Sequence, residues 1–307
     1  MTVLVLGGAG FIGRAVVQSL GAAGLPLRVL DRHARPPTMF DPPLDVDWRA
    51  GVLADRHLLA EALQDARAVV HLASPASPAL ADADWKADVE AQVIDSIRVI
   101  EAMGTAGVRR LVFMSSGGTV YGGNHHAPID EQQATVPIST YGINKLAVEH
   151  FIGHARAAGK VDPVILRAAN AYGPGQATDK AQGLIGTCIV RALAGEPLRI
   201  WGDGLTVRDF VYVDDIARAV RAAIPYEGRH TVFNIGSGIG RTVREVIATI
   251  ETLGRIPVRI EYLPARGLDV PFNVLDRRRA HVELGWEPEI SFERGLATTI
   301  AWYREHC

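Results

Sequence analysis

The sequence predicts an α/β protein built on a doubly wound parallel sheet, with a smaller α/β part formed by the C-terminal half. Short β-branched or leucine-rich runs alternate with longer helical patterns through the first half, the signature of parallel βαβ units. A glycine-rich turn, Gly7-Gly8-Ala9-Gly10-Phe11-Ile12-Gly13, joins the first such run to the first helical pattern. After Asn170 the rhythm loosens, with Gly173-Pro174-Gly175, Pro197 and Gly202-Asp203-Gly204 as breaks. A chain of 307 residues suits one large α/β domain or two joined parts.

Strands are predicted over Thr2 to Leu6, Leu27 to Asp31, Ala68 to Leu72, Arg110 to Ser115 and Pro163 to Leu166. Val3-Leu4-Val5-Leu6 and Leu111-Val112-Phe113-Met114 are nearly continuous apolar runs, as suits strands covered on both faces. Helices are predicted over Phe11 to Ala23, Asp55 to Gln64, Asp84 to Met103 and Thr140 to Ala158. Phe210 to Val213, followed by an alanine-rich helix, and Thr231 to Ile235 read as strands returning to the first sheet. The expected division puts residues 1–168 and about 207–236 in the first domain, and about 169–206 and 237–307 in the second.

Composition excludes several classes of partner. The formal charge is −2 and the pI about 6.6, with no long run of like charges, so neither nucleic acid nor an anionic membrane is an expected partner. Arg277, Arg278 and Arg279 are the densest basic cluster and read as a solvated helix start. Cys188 and Cys307 offer neither a disulfide framework nor a metal spacing, which fits a reducing cytoplasm and no metal. Thr2 to Leu6 lacks a basic flank and reads as a strand rather than a signal peptide. No stretch reaches the roughly 18 apolar residues of a membrane span.

The glycine turn follows a strand and opens a helix, the context a dinucleotide fingerprint needs. Gly7 permits the tight turn, Gly10 lets a pyrophosphate approach the backbone, and Gly13 allows close helix–strand packing. The helix start at Phe11 and Ile12 then stabilises phosphate charge. Asp31 ends the second strand, where a carboxylate can accept hydrogen bonds from a ribose diol and disfavours a 2′-phosphate; NAD is the cofactor this implies. Arg32 and Arg35 stand beside it and keep NADP open.

Tyr141 and Lys145 are four residues apart on a predicted helix, which sets a phenol and an ammonium on one face. The cation is expected to lower the phenol's pKa and make the tyrosine usable as a base near neutral pH. With seven tyrosines and four lysines, such a spacing arises by chance roughly 0.1 times per chain. About twenty residues upstream, Ser115-Ser116-Gly117-Gly118-Thr119-Val120-Tyr121-Gly122 ends a strand and supplies small hydroxyl residues that can meet a substrate alcohol.

Taken together, these segments resemble the extended short-chain dehydrogenase/reductase family, whose first domain is a Rossmann fold. More narrowly the chain is similar to nucleotide-sugar epimerases and dehydratases of the UDP-glucose 4-epimerase kind. Later motifs agree in order: Leu166 to Gly175, Gly202-Asp203-Gly204, Arg208 to Asp215, Phe233 to Gly238, and Leu284-Gly285-Trp286-Glu287-Pro288. The resemblance implies Tyr141 as general acid and base and Lys145 on the nicotinamide ribose. It implies Ser115, Leu72 and Ala73 along the cofactor, with His71 a structural strand-end histidine. Asn170, Arg208 and Arg266 would hold the diphosphate of a UDP-sugar or other nucleotide sugar. A homodimer through the helices at Asp84 to Met103 and Thr140 to Ala158 is also implied.

Departures narrow the chemistry. Relatives usually carry a hydroxyl residue at the position of Gly117, so Ser116 or Thr119 would have to act in its place. Gly118 and Thr119 stand where dehydratases carry acids, so eliminating water has no proton donor. The segment is similar to those of bacterial surface-polysaccharide epimerases. Val52 replaces an adenine-binding aspartate, and Gln92 a common asparagine. His125 and His126 lack a third metal ligand. The reading that follows is an NAD-dependent UDP-hexose 4-epimerase working through a transient 4-keto intermediate. Two alternatives stay open: an NAD(P)H-dependent reductase of a nucleotide-linked keto-sugar, and a non-catalytic dinucleotide sensor.

Overall fold

The computed structural model describes residues 2–34, 40, 43–74, 84–123, 125–178, 183–265 and 270–307. In the first half, β1 (Thr2–Leu6), α1 (Phe11–Ala22), β2 (Leu27–Asp31), β3 (Asp47–Ala50), α2 (Arg56–Leu63) and β4 (Ala66–His71) follow one another. Next comes α3 (Trp85–Val89), which passes through a π-helical turn (Glu90–Ile94) into α4 (Asp95–Ala106). Then follow β5 (Arg110–Ser116), α5 (Thr140–Ala157), β6 (Asp162–Ala168), β7 (Asn170–Tyr172), α6 (Leu184–Leu193), β8 (Leu198–Trp201), β9 (Val207–Tyr212) and α7 (Val213–Ala223). The chain ends with β10 (Val232–Ile235), β11 (Gly240–Thr242), α8 (Val243–Gly254), β12 (Ile260–Leu263), β13 (Phe272–Asn273), α9 (Arg278–Leu284) and α10 (Phe292–His306).

Alternation along β1 sets the layers. Val3 and Val5 join the core shared with α1 and α7, while Leu4 and Leu6 join the core shared with α2, α4 and α5; all four are fully buried. A strand covered on both faces needs this pattern. The seven-stranded sheet runs β10-β6-β5-β4-β1-β2-β3, and every pairing in it is parallel. Strand order reverses between β1 and β4. The crevice outside the carboxyl ends of the strands at such a switch point is where doubly wound sheets bind ligands.

The C-terminal half builds its own core. β9 is the centre of a four-stranded sheet, pairing with β7, β11 and β13, and β8 pairs with β12. Tyr172, Ile189, Phe210, Val246, Phe292 and Leu296 are among the side chains buried there under α6, α8 and α10. Trp286 Nε1 donates to the Asp215 carbonyl at 2.8 Å, and the Asp215 carboxylate accepts the amides of Glu289 and Ile290, so the connection between α9 and α10 is docked on α7.

Two expectations are corrected. The segment Phe210 to Val213 does not return to the first sheet: Phe210 to Tyr212 end β9, which pairs only within the second one, and Val213 already opens α7, while α7 and β10 do join the first. The predicted helix Asp84 to Met103 is interrupted by the π turn. β3 was not foreseen, because Asp47-Trp48-Arg49-Ala50 is an edge strand without an apolar run. Among the described residues no helix is long and apolar enough to cross a membrane.

A buried ion pair pins α5 to the sheet. Arg167 on β6 donates to both carboxylate oxygens of Glu149, at 2.6 and 3.0 Å, with both side chains inside the protein. Arg167→Met strands the Glu149 charge and is expected to lower stability by about 3 kcal/mol or more, read as a drop in the urea midpoint.

Candidate active site

At the switch point the glycine turn meets the loop after β4. Gly7 has φ +87°, and a Cβ there would lie 2.7 Å from the Ala73 nitrogen and 3.1 Å from the Leu72 carbonyl carbon. Only glycine lets the two backbones pass. A Cβ on Gly13 would run into the Gly7 carbonyl oxygen, so this residue fixes how tightly α1 packs on its own turn. Gly10 is different: its Cβ would meet only Gly7 O, at 3.4 Å, and as N-cap of α1 it supplies no side-chain cap. The first N–H groups of α1 therefore border open space, a setting that fits a pyrophosphate.

Asp31 is buried directly beneath. Its Oδ2 accepts from the Ala9 amide at 2.8 Å and its Oδ1 from the His33 amide at 2.9 Å, which fixes the carboxylate at the strand end. Spare lone pairs on both oxygens remain available to a diol. Arg32 is exposed, with its Nε on His33 Nε2 at 3.2 Å. Arg35 lies outside the described residues.

Tyr141 sits in the first turn of α5, capped by Ser139, whose hydroxyl accepts from the Gly142 amide at 3.2 Å. Gly142 is needed because a Cβ there would lie 2.7 Å from Thr119 O, so the β5 end runs directly against the tyrosine's turn. Lys145 is buried one turn on. Its ammonium donates to Met114 O at 3.1 Å and lies 5.0 Å from the Phe113 ring centre and 5.6 Å from that of Tyr141.

The expected depression of the phenol's pKa is not found. Burial pushes Tyr141 up to about 12, with Ser74 opposing the rise and Asp88 adding to it. Burial also pulls Lys145 down to about 8, against the carboxylates of Asp88 and Glu149. Desolvation outweighs the favourable pairing that the spacing implies.

Behind the pair lies a buried polar network absent from the sequence reading. Asp88 accepts from Gln92 Nε2 at 2.7 Å and from Asn144 Nδ2 at 2.6 Å, and Ser74 Oγ donates to Gln92 Oε1 at 3.4 Å. Ser96 Oγ donates to Gln92 O at 2.5 Å and meets His71 Nε2 at 3.0 Å. His71 is buried, and desolvation with the Lys145 charge brings it down to about 3.

The β5 end divides its duties. Ser115 Oγ donates to Glu149 at 2.5 Å, so this hydroxyl is committed to the core. Ser116 and Thr119 are half-buried, with Thr119 Oγ1 3.5 Å from Ser116 O. A Cβ on Gly117 would lie 2.5 Å from Leu275 Cδ1 and 3.0 Å from Arg167 O, which is why no side chain stands there. Gly118 faces Asn170 and the Ser116 hydroxyl with room to spare. Asn170 is held by donating to Asp209 O at 2.9 Å. Asp209 itself is wholly buried and accepts from Ser237, Gly238 and Leu275, which makes it a staple of the second sheet. Arg208 is half-buried on β9, in register with Arg241 and Asn273. Arg266 lies outside the described residues.

Such a site defines a class: an α/β enzyme with a dinucleotide-binding glycine turn at the switch point of its parallel sheet. Residues 3–236 match the NAD dependent epimerase/dehydratase family, and the chain belongs to that family, whose cofactor is NAD. A UDP-glucose 4-epimerase of Mycolicibacterium smegmatis is 34% identical over 313 residues, covering 99% of both chains. A dTDP-4-dehydro-6-deoxyglucose reductase of Escherichia coli is 29% identical, covering 97% of this chain and 96% of the relative. The crystal structure of a Thermotoga maritima UDP-glucose 4-epimerase with UDP-glucose superposes with a TM-score of 0.93 at 34% identity, covering 100% of this chain and 99% of that one.

The Gly7→Ala variant is expected to bind NAD at least about ten-fold more weakly, measured by calorimetry, because the Leu72–Ala73 backbone must retreat. His71 gives a stability prediction. Its folded pKa lies below the unfolded value of 6.5, so its contribution is present above pH 6.5 and is lost as pH falls towards about 3. The slope is about 1.4 kcal/mol per pH unit within that window, and urea titrations of His71→Gln between pH 6.5 and 5 should show a shallower decline than the native protein.

Proposed function

We propose that this protein is a UDP-hexose 4-epimerase that keeps its NAD bound and works through a transient 4-keto sugar. The observation that carries the proposal is Tyr141 and Lys145 one turn apart on α5, with Gly118 and Thr119 in place of acids beyond β5, in a chain whose glycine turn opens α1 at the switch point of the sheet. NAD would be held by the Gly7–Gly13 turn, Asp31, Leu72–Ala73 and Lys145, and it supplies a reversible hydride acceptor.

Tyr141 Oη, as phenolate, takes the proton of the sugar's 4-hydroxyl; burial pushes the phenol up to about 12, so the step depends on positive charge beside the ring, from Lys145 and, when bound, the oxidised nicotinamide. Lys145, brought down to about 8 by burial, carries its positive charge beside the ring below that pH. Thr119 and Ser116 line the same side of the cleft and are candidate partners for the sugar hydroxyls. Once the 4-keto sugar has turned over, Tyr141 gives its proton back to O4 while C4 would regain its hydride on the opposite face, and no net oxidation results. The diphosphate is assigned to Asn170, Arg208 and Arg266, because two adjacent anionic charges need guanidinium and amide donors. On this reading residues about 169–206 and 237–307, with β9 at the centre of their sheet, form the nucleotide-sugar end.

The reductase relative favours a second reading with the same tyrosine and lysine. Cofactor behaviour separates them: an epimerase copurifies with NAD and shows no net absorbance change, whereas a reductase consumes NAD(P)H stoichiometrically. We also propose a cytoplasmic homodimer. Trp85 and Val89 on α3 and Ile143 and Phe151 on α5 are exposed on two helices that pack together, an apolar face suited to a second copy.

Tyr141→Phe is expected to leave the circular-dichroism melt unchanged and to abolish turnover of UDP-glucose, UDP-galactose and their N-acetylated forms, with sugars read by NMR. Activity near that of the native enzyme in this variant would sink the mechanism.

A further inference from the structure

Asp88 on α3 is a buried carboxylate gripped by two neutral amides. It is 4% exposed; its Oδ1 accepts from Gln92 Nε2 at 2.7 Å and its Oδ2 from Asn144 Nδ2 at 2.6 Å. Gln92 and Asn144 are buried as deeply. Taking a carboxylate out of water is costly, and apolar side chains would pack α3 against α5 without that cost.

The two amides belong to different parts of the site. Asn144 follows Tyr141 by three residues on α5 and immediately precedes Lys145. Gln92 lies in the π turn, and its Oε1 accepts from Ser74 Oγ at 3.4 Å, on the loop after β4. The residue before Ser74 is Ala73, whose backbone stands against Gly7. Hydrogen bonds thus run from the Tyr141–Lys145 turn through Asp88 and Gln92 to the loop bordering the glycine turn. A carboxylate suits the middle of that path, because both neighbours turn an NH2 group towards it and each oxygen takes one. A flip of either amide would set its carbonyl against the charge. Lys145 and Glu149 tie α5 to β5 and β6; Asp88 ties it to the β4 loop.

We propose that Asp88 is a positioning residue: by gripping Asn144 and Gln92 it fixes the Tyr141–Lys145 turn of α5 relative to the Ser74 loop, so that the base and the glycine turn keep one spacing. The proposal rests on reading Tyr141 and Lys145 as the catalytic pair. Carboxamides do not titrate, so the role is one of geometry and moves no proton.

The pair can be exchanged as a test. Asn144→Asp alone sets two carboxylates face to face. The double variant Asp88→Asn/Asn144→Asp turns the bond round, the new amide at 88 accepting from Gln92 and donating to the new carboxylate at 144. In the NAD-loaded enzyme, Asn144→Ala and Asn144→Asp should each lower kcat for UDP-glucose about ten-fold or more, with KM within about two-fold, because a small misplacement of a reacting group costs rate. Circular dichroism should show both folded, and the double variant should recover most of the loss. In NAD-free protein, amide hydrogen exchange over residues 142–148 should quicken about ten-fold in Asn144→Ala and return towards native in the double variant. Native kcat in Asn144→Ala, alongside an inactive Tyr141→Phe, overturns the proposal. So does a loss of kcat that the double variant leaves uncorrected, or exchange that quickens evenly over the whole fold. Activity in Tyr141→Phe removes instead the reading of Tyr141 on which the proposal stands.

Discussion

The site depends on two buried charges one turn apart on α5. Lys145 reaches Met114 O at the end of β5, and Glu149 receives Ser115 of the same strand and Arg167 of β6. The chain of contacts continues outward: the Arg167 guanidinium lies 4.9 Å from the Tyr121 ring centre, and the Tyr121 hydroxyl donates to Asn234 on β10 at 2.7 Å. Apolar packing alone would let α5 slide or rotate by a fraction of a turn at small cost. Charges without water cannot slide, because every alternative position leaves one of them unpaired. Tyr141 is thereby fixed over the sheet end in part through Glu149 and Arg167, whose pairing lies inside the protein.

A second constraint is the approach of backbone to backbone. Gly7 lets the turn after β1 pass the Leu72–Ala73 backbone after β4, and Gly142 lets the first turn of α5 pass Thr119 O beyond β5. In both places glycine removes the side chain that would hold the backbones apart. Gly117 belongs with them for a different reason, since Leu275 from the second half fills the space its side chain would need. One half of the molecule thus shapes the catalytic strand of the other.

What could be read in advance follows from how local each cause is. β1 and β2 begin and end where expected, since apolar runs bounded by glycine or aspartate carry their own limits. The Gly7–Gly13 turn was legible for the same reason. The sheet to which β9 belongs was not, because it is settled by distant partners such as Gly240 to Thr242 and by the amides gathered on Asp209. The pKa of Tyr141 was misjudged on similar grounds: the spacing to Lys145 is local, but the desolvation that dominates comes from the whole fold. Asp88, Asn144 and Ser74 gave no signal, since three common polar residues scattered over about 70 positions become a network only when α3, α5 and the β4 loop meet.

The π turn at Glu90–Ile94 lets one helix face two different neighbours. A π turn holds one residue more than an α turn, so it rotates everything after it relative to everything before. Before and within it, Asp88 and Gln92 face the polar interior beside α5; after it, Val99, Ile100 and Met103 face the sheet. An uninterrupted α-helix would hold both faces in one phase, and one set would be misaimed. The extra residue acts as an angular spacer between a catalytic module and a packing module. Through this segment, shortening or lengthening by a single position is a change of kind, whereas swapping side chains of like character is only a change of degree.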